Sequence, residues 1–194
     1  MLTGQRESAT NHIVLTGYSC SGKTTMLHIL KSLGFSVLEE ESRVIMDEWE
    51  DAGLNAKEER LRFGEQGFQK LSFSRQRVRD SKLDPNQLWV LDLGWPCQAP
   101  FFENCGLSPG YVLKHCAPKW YRRILFFEEV EFEDDYARTE TPEERARIGE
   151  GEWNVYVKEL GYKPGIDIVG IPAFPGPKQE AIEQRAKFVL ANMF

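Results

Sequence analysis

Five short apolar runs punctuate the chain, at residues 12–16, 35–38, 88–92, 123–127 and 166–171, and between them apolar positions recur at helical spacing. Met26, Leu27, Leu30 and Leu33 share one face of a helix predicted over 23–33, which Gly34 closes. A shorter helix starts within 44–49. A long amphipathic helix is predicted from 57 to about 80, with Leu61, Phe68, Leu71 and Val78 on its buried side. Two short helical pieces fill 95–119. A helix over 142–160 turns Trp153, Tyr156, Val157 and Leu160 inward, and a last helix after the loop 172–177 presents Ile182, Ala186, Val189 and Met193.

The runs are apolar throughout, with no alternation, as in strands buried on both faces of a sheet. Strands alternating with helices predict an α/β fold, a five-stranded parallel sheet with helices on both faces and right-handed crossovers. No internal repeat, low-complexity stretch or linker interrupts the pattern, so residues 1–194 read as a single domain with a flexible segment at 1–11.

Composition narrows the partners. The formal net charge of −6 argues against nucleic acid, whose phosphates need a basic surface. No stretch approaches the ~20 apolar residues of a membrane span, and no secretory signal is expected. Cys20, Cys97, Cys105 and Cys116 form no C-x-x-C pair and no metal-ligand spacing with a histidine. The expectation is reduced thiols in a cytoplasmic protein.

The chemistry concentrates in the turn after the first strand. Gly17-Tyr18-Ser19-Cys20-Ser21-Gly22-Lys23-Thr24-Thr25 fits G-x-x-x-x-G-K-[ST], a loop that wraps the phosphates of a nucleoside triphosphate. Glycines at both ends let backbone N–H groups turn inward, and the following helix adds its dipole. Gly17, Ser19, Cys20, Ser21, Gly22, Lys23, Thr24 and Thr25 are therefore the predicted nucleotide-binding residues. Lys23 would reach the β/γ-phosphates, and Thr24 would sit on Mg²⁺.

Further candidates fall at the carboxyl ends of other strands, where ligands bind in such sheets. Asp92 closes the third strand and could hold Mg²⁺ or accept a substrate proton. Glu40 and Arg43, spaced E-x-x-R on an emerging helical turn, could hold a polar second substrate, with Glu40 as a candidate base. Glu39 and Glu41 read as solvated bystanders. The charged segment about 128–147 reads as a candidate lid, with Arg138 and Arg145 as phosphate or substrate contacts. Thr141-Pro142-Glu143-Glu144 within it resembles a helix cap. No N-K-x-D sequence marks guanine, which favours ATP.

Taken in order, G-Y-S-C-S-G-K-T-T, L-G-F-S-V-L-E-E-E-S-R-V-I, V-L-D-L-G-W-P, D-Y-A-R-T-E, E-L-G-Y, I-P and Q-R-A-K-F-V-L resemble the AAA-type ATPase domain family related to nicotinamide riboside kinases, over about residues 12–191. The resemblance implies a nucleotide-kinase-like P-loop NTPase fold, with Lys23 and Thr24 on phosphates and metal, Glu40 and Arg43 as its E-x-x-R, and Arg138 as its lid arginine. It also implies ATP and Mg²⁺ as cofactors. One departure stands out: family members usually follow the strand-three aspartate with arginine, whereas here Leu93 follows Asp92. Two functions fit: an ATP- and Mg²⁺-dependent phosphotransferase acting on a small nucleoside-like or other hydroxyl-bearing metabolite, or a nucleotide-dependent regulatory NTPase with slow or no hydrolysis.

Overall fold

A computed structural model describes residues 8–130 and 141–194. Its strands are β1 (Ile13–Gly17), β2 (Ser36–Leu38), β3 (Trp89–Asp92), β4 (Arg123–Phe127) and β5 (Ile168–Ile171). They form one parallel sheet in the order β2-β3-β1-β4-β5, so the chain reverses direction across the sheet beside β1. That reversal opens a crevice at the carboxyl ends of β1, β3 and β4. The helices are α1 (Lys23–Ser32), α2 (Glu41–Asp51), α3 (Ala56–Phe63), α4 (Glu65–Asp80), α5 (Gln98–Asn104), α6 (Gly110–Leu113), α7 (Pro142–Asn154) and α8 (Lys178–Asn192), with a 3₁₀ turn at Trp95–Cys97.

Side chains leave each strand alternately for two cores. On one face Ile13, Leu15, Val90, Leu125, Phe127 and Ile171 pack on Met26, Leu27 and Leu30 of α1 and Val189 of α8. On the other face Val14, Leu91, Ile124, Phe126 and Ile168 meet Phe73 of α4, Phe101 and Phe102 of α5, and Ile148 of α7. Each such buried side chain contributes roughly 1.5–3 kcal/mol. A third cluster, Ile45, Met46, Ala56 and Phe68, joins α2, α3 and α4 outside the sheet.

All five strands form where the apolar runs place them, and β4 has the expected bounds. The long helix over 57–80 does not form as one. Gly64 takes φ +69 and splits it into α3 and α4, leaving Leu61 80% and Val78 55% exposed. The buried side of α4 is largely polar, with Gln69, Ser72, Gln76 and Asp80 beside Phe68 and Phe73, so apolar periodicity points to the wrong face. The helix over 142–160 changes pitch at Val155–Glu159, where a π turn follows α7 and Leu160 N donates to Val155 O at 3.0 Å. Ile166 lies outside β5, in a turn in which Asp167 N donates to Lys163 O.

Residues 9–11, expected to be loose, are held: Ala9 N donates to Lys119 O, Thr10 N to Trp120 O and Asn11 N to Pro85 O. Glu41 is not solvated. It is buried, 2.8 Å from Arg75 Nε and 2.7 Å from Arg79 Nη1, tying α2 to α4. Burial raises its carboxyl above the usual range against the pull of the two arginines. No described helix is long and apolar enough to cross a membrane, and all four cysteines are free thiols.

Candidate functional site

The phosphate loop leaves the buried end of β1 through a tight passage. Gly17 has φ +116, and a Cβ there would lie 2.3 Å from Phe127 O and 2.6 Å from Phe127 N. Only a residue without a side chain lets β1 pair with β4 at this point and then turn away. Tyr18 N donates to Phe127 O at 3.1 Å, which fixes the first loop residue to β4. Cys20 (φ 59) and Gly22 (φ 83) bring the chain round into α1. No side chain caps the first turn of α1, and no acid sits in it. Its N–H groups and positive dipole end are thus directed at the loop without a competing carboxylate, as anion binding requires.

Lys23 is folded back over this loop. Its Nζ donates to Tyr18 O at 2.7 Å and Gly17 O at 3.1 Å, and lies 3.5 Å from Ser21 Oγ. Thr24 Oγ1 donates to Asp92 Oδ2 at 3.1 Å across the crevice, joining the start of α1 to the end of β3. Ser21 is buried, Ser19 and Cys20 are half-buried, and Thr25 faces outward from α1.

Glu40 is buried immediately before α2 and accepts from the Ser42 hydroxyl. Arg43 follows in the first turn, its N–H donating to Glu40 O at 3.1 Å. Arg145 is half-buried near the start of α7, where Thr141 and Glu144 form the expected reciprocal cap, at 3.2 and 2.8 Å. Arg138 lies outside the described residues. Leu93, in place of the family arginine, adopts φ 64, is 2% exposed and packs in the core.

Two buried charges at the loop have no counterpart among the sequence candidates. Glu152 of α7 is 1% exposed; it accepts from Gly17 N at 2.9 Å and from the Thr16 hydroxyl. Burial pushes its carboxyl up to about 7, while Lys23, Thr16 and Gly17 pull the other way. Two helical glycines let α7 approach this closely. A Cβ on Gly149 would lie 2.6 Å from the Tyr18 ring, and one on Gly151 2.9 Å from Pro100 of α5. Glycine costs a helix interior about 1 kcal/mol, so G-E-G-E within a helical pattern is a readable sign of close packing.

Arg185 of α8 is the second. Its guanidinium donates to Ser21 O, to Pro172 O at 2.9 Å, to Glu128 O at 3.2 Å and to Ile171 O at 3.4 Å, and stacks 5.2 Å from the Phe127 ring centroid. It lies on the stripe of Ile182 and Val189, a charge on an inward face, which is the signal sequence reading could have used. Arg185→Ala should lower unfolding free energy by about 3 kcal/mol in urea titration, because several buried carbonyls lose their donor. Arg185→Lys should recover only part, since one ammonium cannot span the same set. Full stability in the alanine variant would contradict this.

The sequence matches the AAA_28 family model, described as an AAA domain, over residues 12–164. The chain belongs to this AAA domain family. The match runs from the start of β1 through α7 and includes the phosphate loop, Glu40, Arg43, Asp92 and Glu152. Among solved structures, this AAA domain is similar to deoxyadenosine kinase from M. mycoides, with TM-score 0.62 and 10% identity over 93% of this chain and 96% of that one. It is similar to a NadR protein solved with NR (TM-score 0.61, 15% identity), covering 95% of this chain but 51% of that one. Thymidylate kinase from Ehrlichia chaffeensis gives TM-score 0.54 and 14% identity, covering 95% and 100%. At such identities the likeness is one of fold, and the fold is that of P-loop kinases. A search of curated proteins gave no match.

Proposed function

We propose that the protein is an ATP- and Mg²⁺-dependent phosphotransferase whose acceptor is a small, nucleoside-like or other hydroxyl-bearing metabolite. The observation that carries this reading is the meeting of Lys23, Thr24 and Asp92 at one strand edge, with an uncapped helix N-terminus behind them. A hydroxyl and a carboxylate oxygen are hard donors that suit Mg²⁺, which keeps several waters and binds through one or two protein groups plus phosphate. Mg²⁺ held at Thr24 and Asp92 would neutralise charge on the transferred phosphoryl group.

The residues divide the remaining work. Backbone N–H groups from Ser19 to Thr25 cradle the phosphates, and Lys23 exchanges its two loop carbonyls for phosphate oxygens. Glu40 and Arg43 orient the acceptor, with Glu40 or Asp92 taking the hydroxyl proton. Arg138, and Arg145 near the start of α7, would contact the phosphates or the acceptor. Leu93 is buried in the core and supplies no cation where the family usually carries arginine, which favours an acceptor with no phosphate at that point. The same substitution favours the second reading, a regulatory NTPase that has lost its acceptor.

The deciding experiment is ADP release from Mg·ATP with and without nucleosides, nucleotides and small hydroxylated metabolites. A rate that rises with one acceptor supports the kinase. A slow rate indifferent to every acceptor supports the regulatory NTPase.

A further inference from the structure

We propose that Glu152 is a positioning residue of the phosphate loop and that it takes up a proton when a polyphosphate fills the loop. The inference rests on nucleotide binding by that loop, as proposed above.

Geometry gives Glu152 its place. Its Oε2 accepts from Gly17 N, the N–H at which β1 becomes the loop, and from the hydroxyl of Thr16 one residue earlier. That N–H is thereby withdrawn from the set that can face phosphate, so the anion cradle begins further round the turn. Gly149 against Tyr18 and Gly151 against Pro100 hold the helix at the distance the carboxylate needs. Thr16 Oγ1 also lies 3.1 Å from Cys97 Sγ, which is 3.3 Å from Tyr156 Oη on the π turn. The carboxylate therefore ends a buried polar chain running beneath the loop.

The charges around it set the sign of the effect. From α1, Lys23 stabilises the ionised form, whereas Glu40 before α2 opposes it. From the 3₁₀ turn Cys97 is a thiol that burial keeps protonated, and from the π turn Tyr156 is a phenol held neutral in the same way. β1 offers only a hydroxyl and an N–H, and α5 an uncharged proline. Among the described residues Lys23 is thus the positive charge that acts on Glu152. An arriving polyphosphate draws Lys23 Nζ away from Gly17 O and Tyr18 O and adds negative charge above the loop. Both changes make the ionised carboxylate less favourable, so the proton comes from solvent onto Glu152. Since the bound state holds the proton more tightly, affinity is greatest below about pH 7, where Glu152 is already neutral in the free protein. It falls as pH rises, by up to about tenfold per pH unit, until the bound form also ionises.

Calorimetry with the Mg²⁺ complex of the β,γ-imido analogue of ATP, in two buffers of different ionisation enthalpy, counts the protons. In the wild-type protein at pH 7.5 a net uptake of up to about three-quarters of a proton per nucleotide is expected, vanishing at pH 5.5. Glu152→Gln keeps an acceptor for Gly17 N and should bind the analogue with no uptake and a Kd indifferent to pH. A residue that merely braces the loop would shift Kd without altering the proton count. Binding without uptake in the wild-type protein overturns the inference, and so does equal uptake in Glu152→Gln. The wild-type measurement stands even if the variant does not fold. Failure of the wild-type protein to bind the analogue at any pH would instead overturn the nucleotide reading itself.

Discussion

Lys23→Ala should give a folded protein that has lost phosphoryl transfer. Among the described residues the hydrogen bonds of Lys23 Nζ stay within its own loop, at Gly17 O, Tyr18 O and Ser21 Oγ, so its loss breaks no hydrogen bond to a distant element. Its methylene stem is buried at the crevice, and alanine leaves the glycine turns and the Thr24–Asp92 contact intact. Removing one preorganised charge from the developing phosphoryl group costs about 10²–10³-fold in kcat. ADP release should therefore fall by at least two orders of magnitude, while circular dichroism and the thermal midpoint stay close to wild type. Retained turnover in the alanine variant would refute the assignment of the loop as the reaction centre.

Gly17→Ala should have the largest effect on stability. The added methyl would stand 2.3 Å from Phe127 O and 2.6 Å from its N, both backbone atoms in a central strand pair that cannot step aside. The residue would also be forced to φ +116, outside the range of L side chains. A cost of about 4 kcal/mol follows, or roughly a 10 °C drop in midpoint for a chain of this length. Gly34→Ala isolates the strain from the crowding. Gly34 has φ +91 with no atom within 4 Å of its would-be Cβ, so only backbone strain remains, about 1 kcal/mol. Equal losses in the two variants would show that strain, and not the close approach to β4, sets the role of Gly17.

The parts legible in sequence are those where local signals coincide. Around Lys23 a buried strand, a glycine turn and a 3.6-residue period all occur within about twenty residues, so strand, loop and helix appear where they are expected. The place of Asp92 at the carboxyl end of β3, beside Thr24, was legible because a carboxylate ending an apolar strand must find a polar partner or solvent. The break at Gly64 was not, because the residues on both sides favour helix and one left-handed residue suffices to redirect it. Glu41 reads as one of three adjacent acids, and only the fold brings Arg75 and Arg79 over it. Glu152 and Arg185 act on residues 135 and 164 positions away, and no local pattern announces such a partner. The G-E-G-E run and the inward stripe of α8 signal that they are buried, but not what they meet.

The bond from Arg185 to Ser21 also sets an order of events during synthesis. Ser21 emerges from the ribosome 164 residues ahead of the guanidinium that holds its carbonyl. At cellular elongation rates of about 5–20 residues per second, that interval lasts roughly 10–30 s. Over this time the nascent chain carries the whole phosphate motif without the clamp that closes it. The carbonyl of Ser21 is therefore fixed only once nearly every element of the fold has been made.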